Sequence, residues 1–365
     1  MPKDISQEKS IRRAKTVTQL IICAVVVAVG GYYIKNAYDN THTVPASRYV
    51  DTSGGEDIDI PDPNDLIDPN AIIYNTVPVP TKDKFYGDLI LVNNYNQYYN
   101  SGDEDLVSIM EMNDEAGIDC FIAVDYDYTI LRKVYEPMAQ MVCDFFDIYN
   151  NDTLIIYGSY RTHEFQEQLY EEFISNDDDE APLVAKPGFS EHESGYAFDF
   201  SETINYDYQG DGDFAWINEN CYKYGFIERY TEEKESITEI RPEPWHFRYV
   251  GIPHAYYMTQ NKLCLEEYID LLRNSYAYEG EHLQFADHNG KNYEVYFFLS
   301  DDGAETTNVP VPNGYKYEIS GNNVDGFIVT VYKDEEAEFG QTAPEADSTD
   351  DIDDSDNEPT DDIAE

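Results

Sequence analysis

Apolar positions recur along this chain with several different spacings. A mainly apolar run, VTQLIICAVVVAVGGYYI, spans Val17–Ile34; a span of roughly 18 residues is just long enough to cross a bilayer. Residues 36–85, including GGEDIDIPDPNDLIDPN, hold neither a helical nor a strand period and read as an acidic, Pro/Asp-rich linker. From about Asp88 the pattern becomes regular. LILVN (Leu89–Asn93) predicts a short strand. Over Ile130–Tyr149, Leu131, Val134, Met138, Met141, Val142, Phe145 and Phe146 recur at helical spacing. TLIIYGSYR (Thr153–Arg161) predicts a strand with a polar end. A helix over Thr162–Ser175 then begins at a capping threonine, with Phe165, Leu169 and Phe173 on one face. Further expected elements are a strand at Gly195–Phe200, a helix at Phe214–Phe226, a strand at Glu243–Val250 and a helix at Pro253–Tyr276. Helices and strands mix without strict βαβ alternation, which predicts an α+β domain over residues 86–277. Beyond it, NYEVYFFLS, YKYEISG and GFIVTVYK are strand-like, and GNNVDG (Gly321–Gly326) suits a hairpin connection. Residues 278–334 are therefore expected to form a small all-β appendage. Residues 335–365 are acidic and poor in apolar residues, which predicts disorder.

Charge sharpens the picture at both ends. Lys3, Lys9, Arg12, Arg13 and Lys15 precede the apolar run, Lys35 closes it, and Tyr32 and Tyr33 stand where interfacial aromatics belong. Residues 1–15 are thus expected to be a cytoplasmic tail and residues 16–35 an uncleaved single-pass anchor, with the rest of the chain outside the cell. The competing reading is a cleaved signal peptide, but no clear small-x-small cleavage site precedes a polar start. The whole chain carries 23 Lys+Arg against 74 Asp+Glu, a formal charge of -51. Phosphate backbones would repel it, so nucleic acid is excluded as an expected partner. Five cysteines are too few for a disulfide scaffold. Cys143, Cys221 and Cys264 sit among apolar neighbours and read as buried thiols, with one disulfide open as an alternative outside the cell.

Among the seven histidines, His42, His282 and His288 stand alone, whereas His192 and His246 have company. SEHESGYAFDF (Ser190–Phe200) puts His192 in a Gly-flanked loop ahead of a strand. In that strand Asp199 shares a face with Ala197, opposite Phe198 and Phe200. A carboxylate in so apolar a strand is costly unless neutralised, and a metal ion does this well. RPEPWHFRYVG (Arg241–Gly251) sets Glu243 three residues before His246, with His246 and Arg248 on one strand face. Two His and one Asp make a three-ligand zinc site with a fourth position open to water, the pattern of catalytic rather than structural zinc. A nearby Glu can serve as general base. The alternative is a set of ordinary strand residues with satisfied hydrogen bonds. The Asp-rich NYDYQGDGD (Asn205–Asp213) lacks the ligand spacing of a calcium loop and reads as an acidic turn.

Four motifs in order, YGSYR, SEHESGYAFDF, WINENCYKYGFIERY and RPEPWHFRYVG, together resemble the VanY-type D-alanyl-D-alanine carboxypeptidases, a family that includes L,D-carboxypeptidases. The resemblance runs from about Leu89 to Leu272. It implies the α+β zinc peptidase fold shared with VanX dipeptidases and the hedgehog signalling domain. Carried onto this chain, it implies Zn2+ held by His192, Asp199 and His246, and Glu243 as general base. Arg161 would hold the substrate's carbonyl or carboxylate, and Gln166 and Ser190 would contact substrate. The implied substrates are peptidoglycan stem peptides, or their precursors, ending in D-Ala. The family often has Gln-Thr where this chain has Glu193-Ser194, which would add a charge near the cleft. Two other readings stay open at this level: a peptidoglycan endopeptidase, and a catalytically silent wall-binding module. The anchor makes a testable statement of its own. External protease should release residues 36–365 from intact cells; a mainly soluble cytoplasmic pool would contradict the assigned topology.

Overall fold

Strands and helices mix up to Ser275, and from Leu283 onward the described residues form strands alone. The computed structural model describes residues 72–100, 102, 104–175 and 184–337. In chain order its strands are β1 (Tyr74–Pro80), β2 (Leu106–Ser108), β3 (Ile122–Ala123), β4 (Thr129–Leu131), β5 (Leu154–Gly158), β6 (Ala197–Glu202), β7 (Phe226–Tyr230), β8 (Glu243–Tyr249), β9 (Leu283–Ala286), β10 (Asn292–Leu299), β11 (Thr306–Pro312), β12 (Tyr315–Gly321) and β13 (Gly326–Glu336). The central sheet has the order β3-β5-β6-β8-β7. Only β3 and β5 run parallel; β6 is antiparallel to β5 and β8, and β7 to β8. This is the expected α+β architecture.

The sheet's register follows from which residues its core face hides. Phe198 and Phe200 on β6, Phe247 on β8 and Phe226 on β7 are buried in one core with Val134, Met138, Met141, Val142 and Phe145 of helix Arg132–Tyr149. Fully burying such side chains is worth about 1.5–3 kcal/mol each. A one-residue slip of β6 would exchange these rings for their polar neighbours, so the apolar face pins the other face as well. That other face is where Asp199 pairs with His246.

This strand-only C-terminal part is less separate than the sequence suggests. Strands β12-β13-β10-β9 form a second sheet. Its Leu283, Val295, Phe297 and Ile328 share a core with Met258, Leu265, Ile269 and Leu272 of helices Ile252–Asn261 and Leu265–Ser275. The described residues, 72–337, accordingly belong to one compact unit. The expected linker also ends earlier than residue 85. β1 pairs with β11 along its whole length, from Tyr74 opposite Pro312 to Pro80 opposite Thr306, and a 3-10 turn follows at Thr81–Phe85. The alternation in YNTVPVP carries this strand, and its prolines hid it. At the other end β13 takes in Glu335 and Glu336, two residues assigned from sequence to the tail. The apolar run Val17–Ile34 and the tail from 338 onward lie outside the described residues; among the described residues no helix is long and apolar enough to cross a membrane.

Three element readings need correction. Leu89–Asn93 is no strand, although its side chains alternate between two cores like one. Its backbone is held instead by Ser320 Oγ, the Asn322 carbonyl, the Asn323 side chain and Arg248. The expected helix at Phe214–Phe226 is a short helix, Ala215–Asn220, flanked by 3-10 turns, and Phe226 already opens β7. The expected helix at Pro253–Tyr276 breaks at Lys262, whose φ of 53° is left-handed, and restarts at a capping box on Cys264. The buried-thiol reading fails for Cys143, which is joined to Cys120 in a disulfide; Cys221 and Cys264 are the free, buried thiols it described. A crosslink closing a loop of this size restricts the unfolded chain by about 3 kcal/mol. Cys143→Ala should therefore lower the stability measured by urea unfolding by about that amount; unchanged stability would mean that the bond is absent in solution.

Candidate metal centre and active site

The site is assembled on the polar face of the central sheet where three segments meet. β6 supplies Asp199 and β8 supplies His246, directly opposite one another in the ladder. His192 comes from the 3-10 turn Glu191–Ser194 leading into β6, which ends on Gly195 at φ 72°, a left-handed position natural to glycine. β5 gives the room: its register with β6 shifts between Ile156 and Gly158, and Gly158 faces Asp199. A Cβ on Gly158 would lie 2.5 Å from Asp199 Oδ2, so any other residue here would push the carboxylate aside.

Geometry tests whether these residues suit a metal. His192 Nε2 lies 3.1 Å from Asp199 Oδ2, and His246 Nδ1 lies 2.9 Å from Asp199 Oδ1. One ligand atom from each of the three residues lies within 4.8 Å of the others, and all three are buried. Tetrahedral zinc with bonds near 2.0–2.1 Å needs ligand atoms about 3.3 Å apart. The two rings stand edge to face, at 83° with centroids 4.9 Å apart. Each ring is also held by its far nitrogen. His192 Nδ1 lies 2.8 Å from the Ser159 carbonyl oxygen, and His246 Nε2 lies 3.4 Å from Glu191 Oε2. Such contacts orient metal-binding imidazoles. The donor set therefore fits zinc, which His192 would meet through Nε2 and His246 through Nδ1.

Electrostatics divides the roles within the cluster. Burial alone would raise the Asp199 pKa, but the two imidazoles outweigh it and hold the carboxyl well below its usual range. Burial would likewise lower His246, yet its bonds to Asp199 and Glu191 raise it to about 9. His192 moves the other way, lowered by burial and by the Arg161 guanidinium. Both imidazoles thus meet Asp199; His246 has Glu191 as a second carboxylate partner, while the Arg161 guanidinium lies near His192. Glu243, at the start of β8, has Oε2 4.0 Å from His246 Nδ1. Burial pushes its carboxyl up to about 7, the acids Asp199 and Glu191 acting with it and His246 and Arg161 against it. It is close to the cluster yet outside the three-ligand group, as a proton-transfer group should be.

Arg161 follows β5 and points into the same site, its Nη2 3.4 Å from Asp199 Oδ2. Its backbone N–H donates to the His192 carbonyl, tying it to the metal-binding turn. Gln166 is fully buried, donates to the Ala185 carbonyl and accepts from Arg161 Nη1 at 3.5 Å. Both ends of Gln166 are thus engaged, and it braces Arg161. Ser190 is buried at the start of the metal-binding turn, where its carbonyl accepts from Glu193 N–H. Thr162 caps helix His163–Ser175 as expected, its Oγ1 accepting from Phe165 N–H. The charge expected from Glu193 near the cleft is not exposed there. Its side chain is 4% exposed and ties His163 to the Gly188 N–H. Sequence reasoning passed over Glu191, Arg229 and Ser159. Glu191 and Arg229 lie inside the recognised motifs, but nothing local marks a charged residue as buried. Ser159 acts through its backbone, which no side-chain pattern reveals.

Comparison with known proteins agrees with this geometry. The family model for VanY, D-alanyl-D-alanine carboxypeptidase, matches residues 132–252. A D-alanyl-D-alanine carboxypeptidase of Enterococcus faecium is 34% identical over 261 residues, 69% of this chain and 78% of the relative. The bifunctional D-Ala-D-Ala dipeptidase and D-Ala-D-Ala carboxypeptidase VanXYC of Enterococcus gallinarum is 38% identical over 122 residues, 31% of this chain and 64% of the relative. The crystal structure of the D,D-dipeptidase VanXYg, in complex with a D-Ala-D-Ala phosphinate analogue, superposes with a TM-score of 0.61 at 29% identity, covering 72% of this chain and all of the other. The chain belongs to the VanY family of D-alanyl-D-alanine carboxypeptidases.

Proposed function

We propose that this protein removes C-terminal D-alanine from peptidoglycan stem peptides or their precursors, at a zinc centre formed by His192, Asp199 and His246. It is a metallocarboxypeptidase. The observation that carries the reading is the convergence of these three side chains beside a buried glutamate and an arginine. A silent binding module has no use for Glu243 in that position. When bound, zinc polarises the scissile carbonyl and makes a water molecule a stronger nucleophile. The remaining work falls to the chain itself. Glu243 takes the proton of the attacking water and passes it to the leaving amine; burial raises its carboxyl, which suits a group that must both take and return a proton. Arg161 holds the terminal carboxylate of the substrate, for which the guanidinium offers two parallel N–H donors. Gln166 keeps that guanidinium aimed. The Val17–Ile34 run supports a membrane anchor with the catalytic domain outside the cell, where peptidoglycan is found.

Two experiments test these roles. Glu243→Gln should retain about one zinc per chain and lose turnover by roughly two to four orders of magnitude, whereas His246→Ala should lose both. Equal loss of zinc in the two variants would make Glu243 a ligand and overturn its assignment as base. Substrate selection is read from matched D-Ala-terminated peptides, one a free acid and one an amide, with products followed by mass spectrometry. The wild type should strongly prefer the acid, and Arg161→Lys should weaken that preference, because a point charge cannot replace the fork. Equal cleavage of the amide by the wild type would favour an endopeptidase instead. The same assay on tetrapeptide and pentapeptide stems separates L,D from D,D cleavage.

A further inference from the structure

Behind His246 lies a charged cluster that the reaction chemistry does not use. Glu191 is buried, with no exposed side-chain surface, and the same is true of Arg229 and Arg248. The two oxygens of Glu191 have different partners. Oε1 accepts from Arg229 Nε at 2.9 Å and from Arg248 Nη1 at 2.9 Å. Oε2 faces His246 Nε2 at 3.4 Å. The arginines are anchored in turn: Arg229 donates to both oxygens of Glu266 at 2.8 and 2.7 Å, and Arg248 Nη2 donates to the carbonyls of Asp88 and Ile90. Two guanidinium and two carboxylate groups make the cluster neutral. The Tyr230 ring lies against both Arg229 and His246, which closes the space on that side of the imidazole.

We infer that Glu191 is the positioning residue of the metal centre: held between Arg229 and Arg248, it accepts the Nε2–H of His246 and thereby leaves Nδ1 as the nitrogen presented to the metal. The inference rests on the assignment of His192, Asp199 and His246 as zinc ligands. An imidazole has two nitrogens, and without a fixed acceptor behind it the ring can turn either one toward a cation. Ser159 does this for His192 with a backbone carbonyl, which cannot be removed by substitution. For His246 the acceptor is a side chain, so its contribution can be measured. A purely structural Glu191, present only to neutralise two arginines, would serve equally well with Oε2 turned away from the ring.

Two variants separate these roles. Glu191→Asp keeps the charge that the arginines need but draws the acceptor back from His246 by one methylene. Glu191→Gln keeps the reach but loses the charge. Zinc affinity is measured by competition with a chelator, in full-length protein checked for folding by circular dichroism. Glu191→Asp should bind zinc roughly 10- to 100-fold more weakly, still at one ion per chain, and should regain activity as free zinc is raised. Glu191→Gln should weaken zinc binding as well. Should either variant fail to fold, the wild type gives an independent reading. With 15N-labelled histidine, the zinc-loaded protein should show His246 protonated at Nε2 and metal-bound through Nδ1. Wild-type zinc affinity in folded Glu191→Asp, or metal bound at Nε2 of His246, would overturn the role of Glu191 while leaving the zinc site intact. Failure of the wild type to bind zinc at all would instead remove the metal assignment on which the inference stands.

Discussion

The buried carboxylate of Glu191, shared by Arg229 and Arg248, is the constraint on which the rest of the site depends. Moving such charges out of water is expensive, and replacing a whole buried ion cluster with apolar residues is often neutral or stabilising by 1–4 kcal/mol. Removing a single member costs about 3–5 kcal/mol, because the others are left unpaired. Stability alone therefore gives little reason to build this cluster, although it gives every reason to keep it intact once built. What the cluster does is geometric. It joins the turn carrying His192 to β7 through Arg229, to β8 through Arg248, to helix Leu265–Ser275 through Glu266, and to the irregular segment at Asp88–Ile90. Five pieces of chain distant in sequence are held in one relation, and His246 lies at their meeting point.

The same constraint explains why the C-terminal sheet belongs with the catalytic domain. The segment clamped by Arg248 is also bonded from the other side by Ser320, Asn322 and Asn323, in and around the β12–β13 connection. Asn323 sits at φ 59°, and its amide donates to the carbonyls of Leu91 and Gln97. These bonds stand in for the strand ladder that Leu89–Asn93 lacks. Buried backbone groups must be paired somewhere, and here one partner is the metal-site arginine and the others are the distal hairpin. The hairpin is thus part of the support behind the cleft rather than a detachable appendage.

The chemistry of the site was legible in the sequence to a greater extent than its support. Asp199 and His246 lie in two short motifs whose strand alternation sorts them away from Phe198, Phe200 and Phe247, whereas His192 sits in the turn before β6 and Glu243 stands at the start of β8, beyond a shift in its register with β7. Local periodicity is enough for that. The elements that were misread are those decided by distant contacts. β1 is a strand because β11 pairs with it more than 220 residues later, against the usual meaning of its prolines. Leu89–Asn93 has a strand's side-chain pattern without a strand's neighbour. The helix at Pro253–Tyr276 breaks at Lys262, a residue with no breaking propensity, because Cys264 and Glu267 cap a new start. Glu191 and Glu193 differ by two positions in an exposed-looking loop, yet both are buried, one against arginines and the other against His163. Nothing in the loop's own sequence announces partners that arrive from 30 to 60 residues away.

The remaining tension is between the protein's charge and that of its substrate. The chain carries a formal charge of -51, and a peptide with a free carboxyl end approaches as an anion. At physiological ionic strength charges are screened over about 8 Å, so most surface carboxylates act weakly on a group inside the cleft. The balance there is set by what lies within a few ångströms: Asp199 and Glu243 on one side, Arg161 and the imidazoles on the other. Asp199 is already matched by His192 and His246, and burial shifts Glu243 toward its neutral form. What is left to meet an incoming carboxylate is the Arg161 guanidinium, only loosely engaged by Asp199 at 3.4 Å. A bound dication would draw Asp199 further toward itself and loosen that contact, because its charge competes for the same carboxylate. On the proposed assignment the two positive elements of the site would reinforce each other: filling the metal position would leave Arg161 freer for the substrate. An acidic protein can in this way present a local cationic end-group receptor without a basic surface.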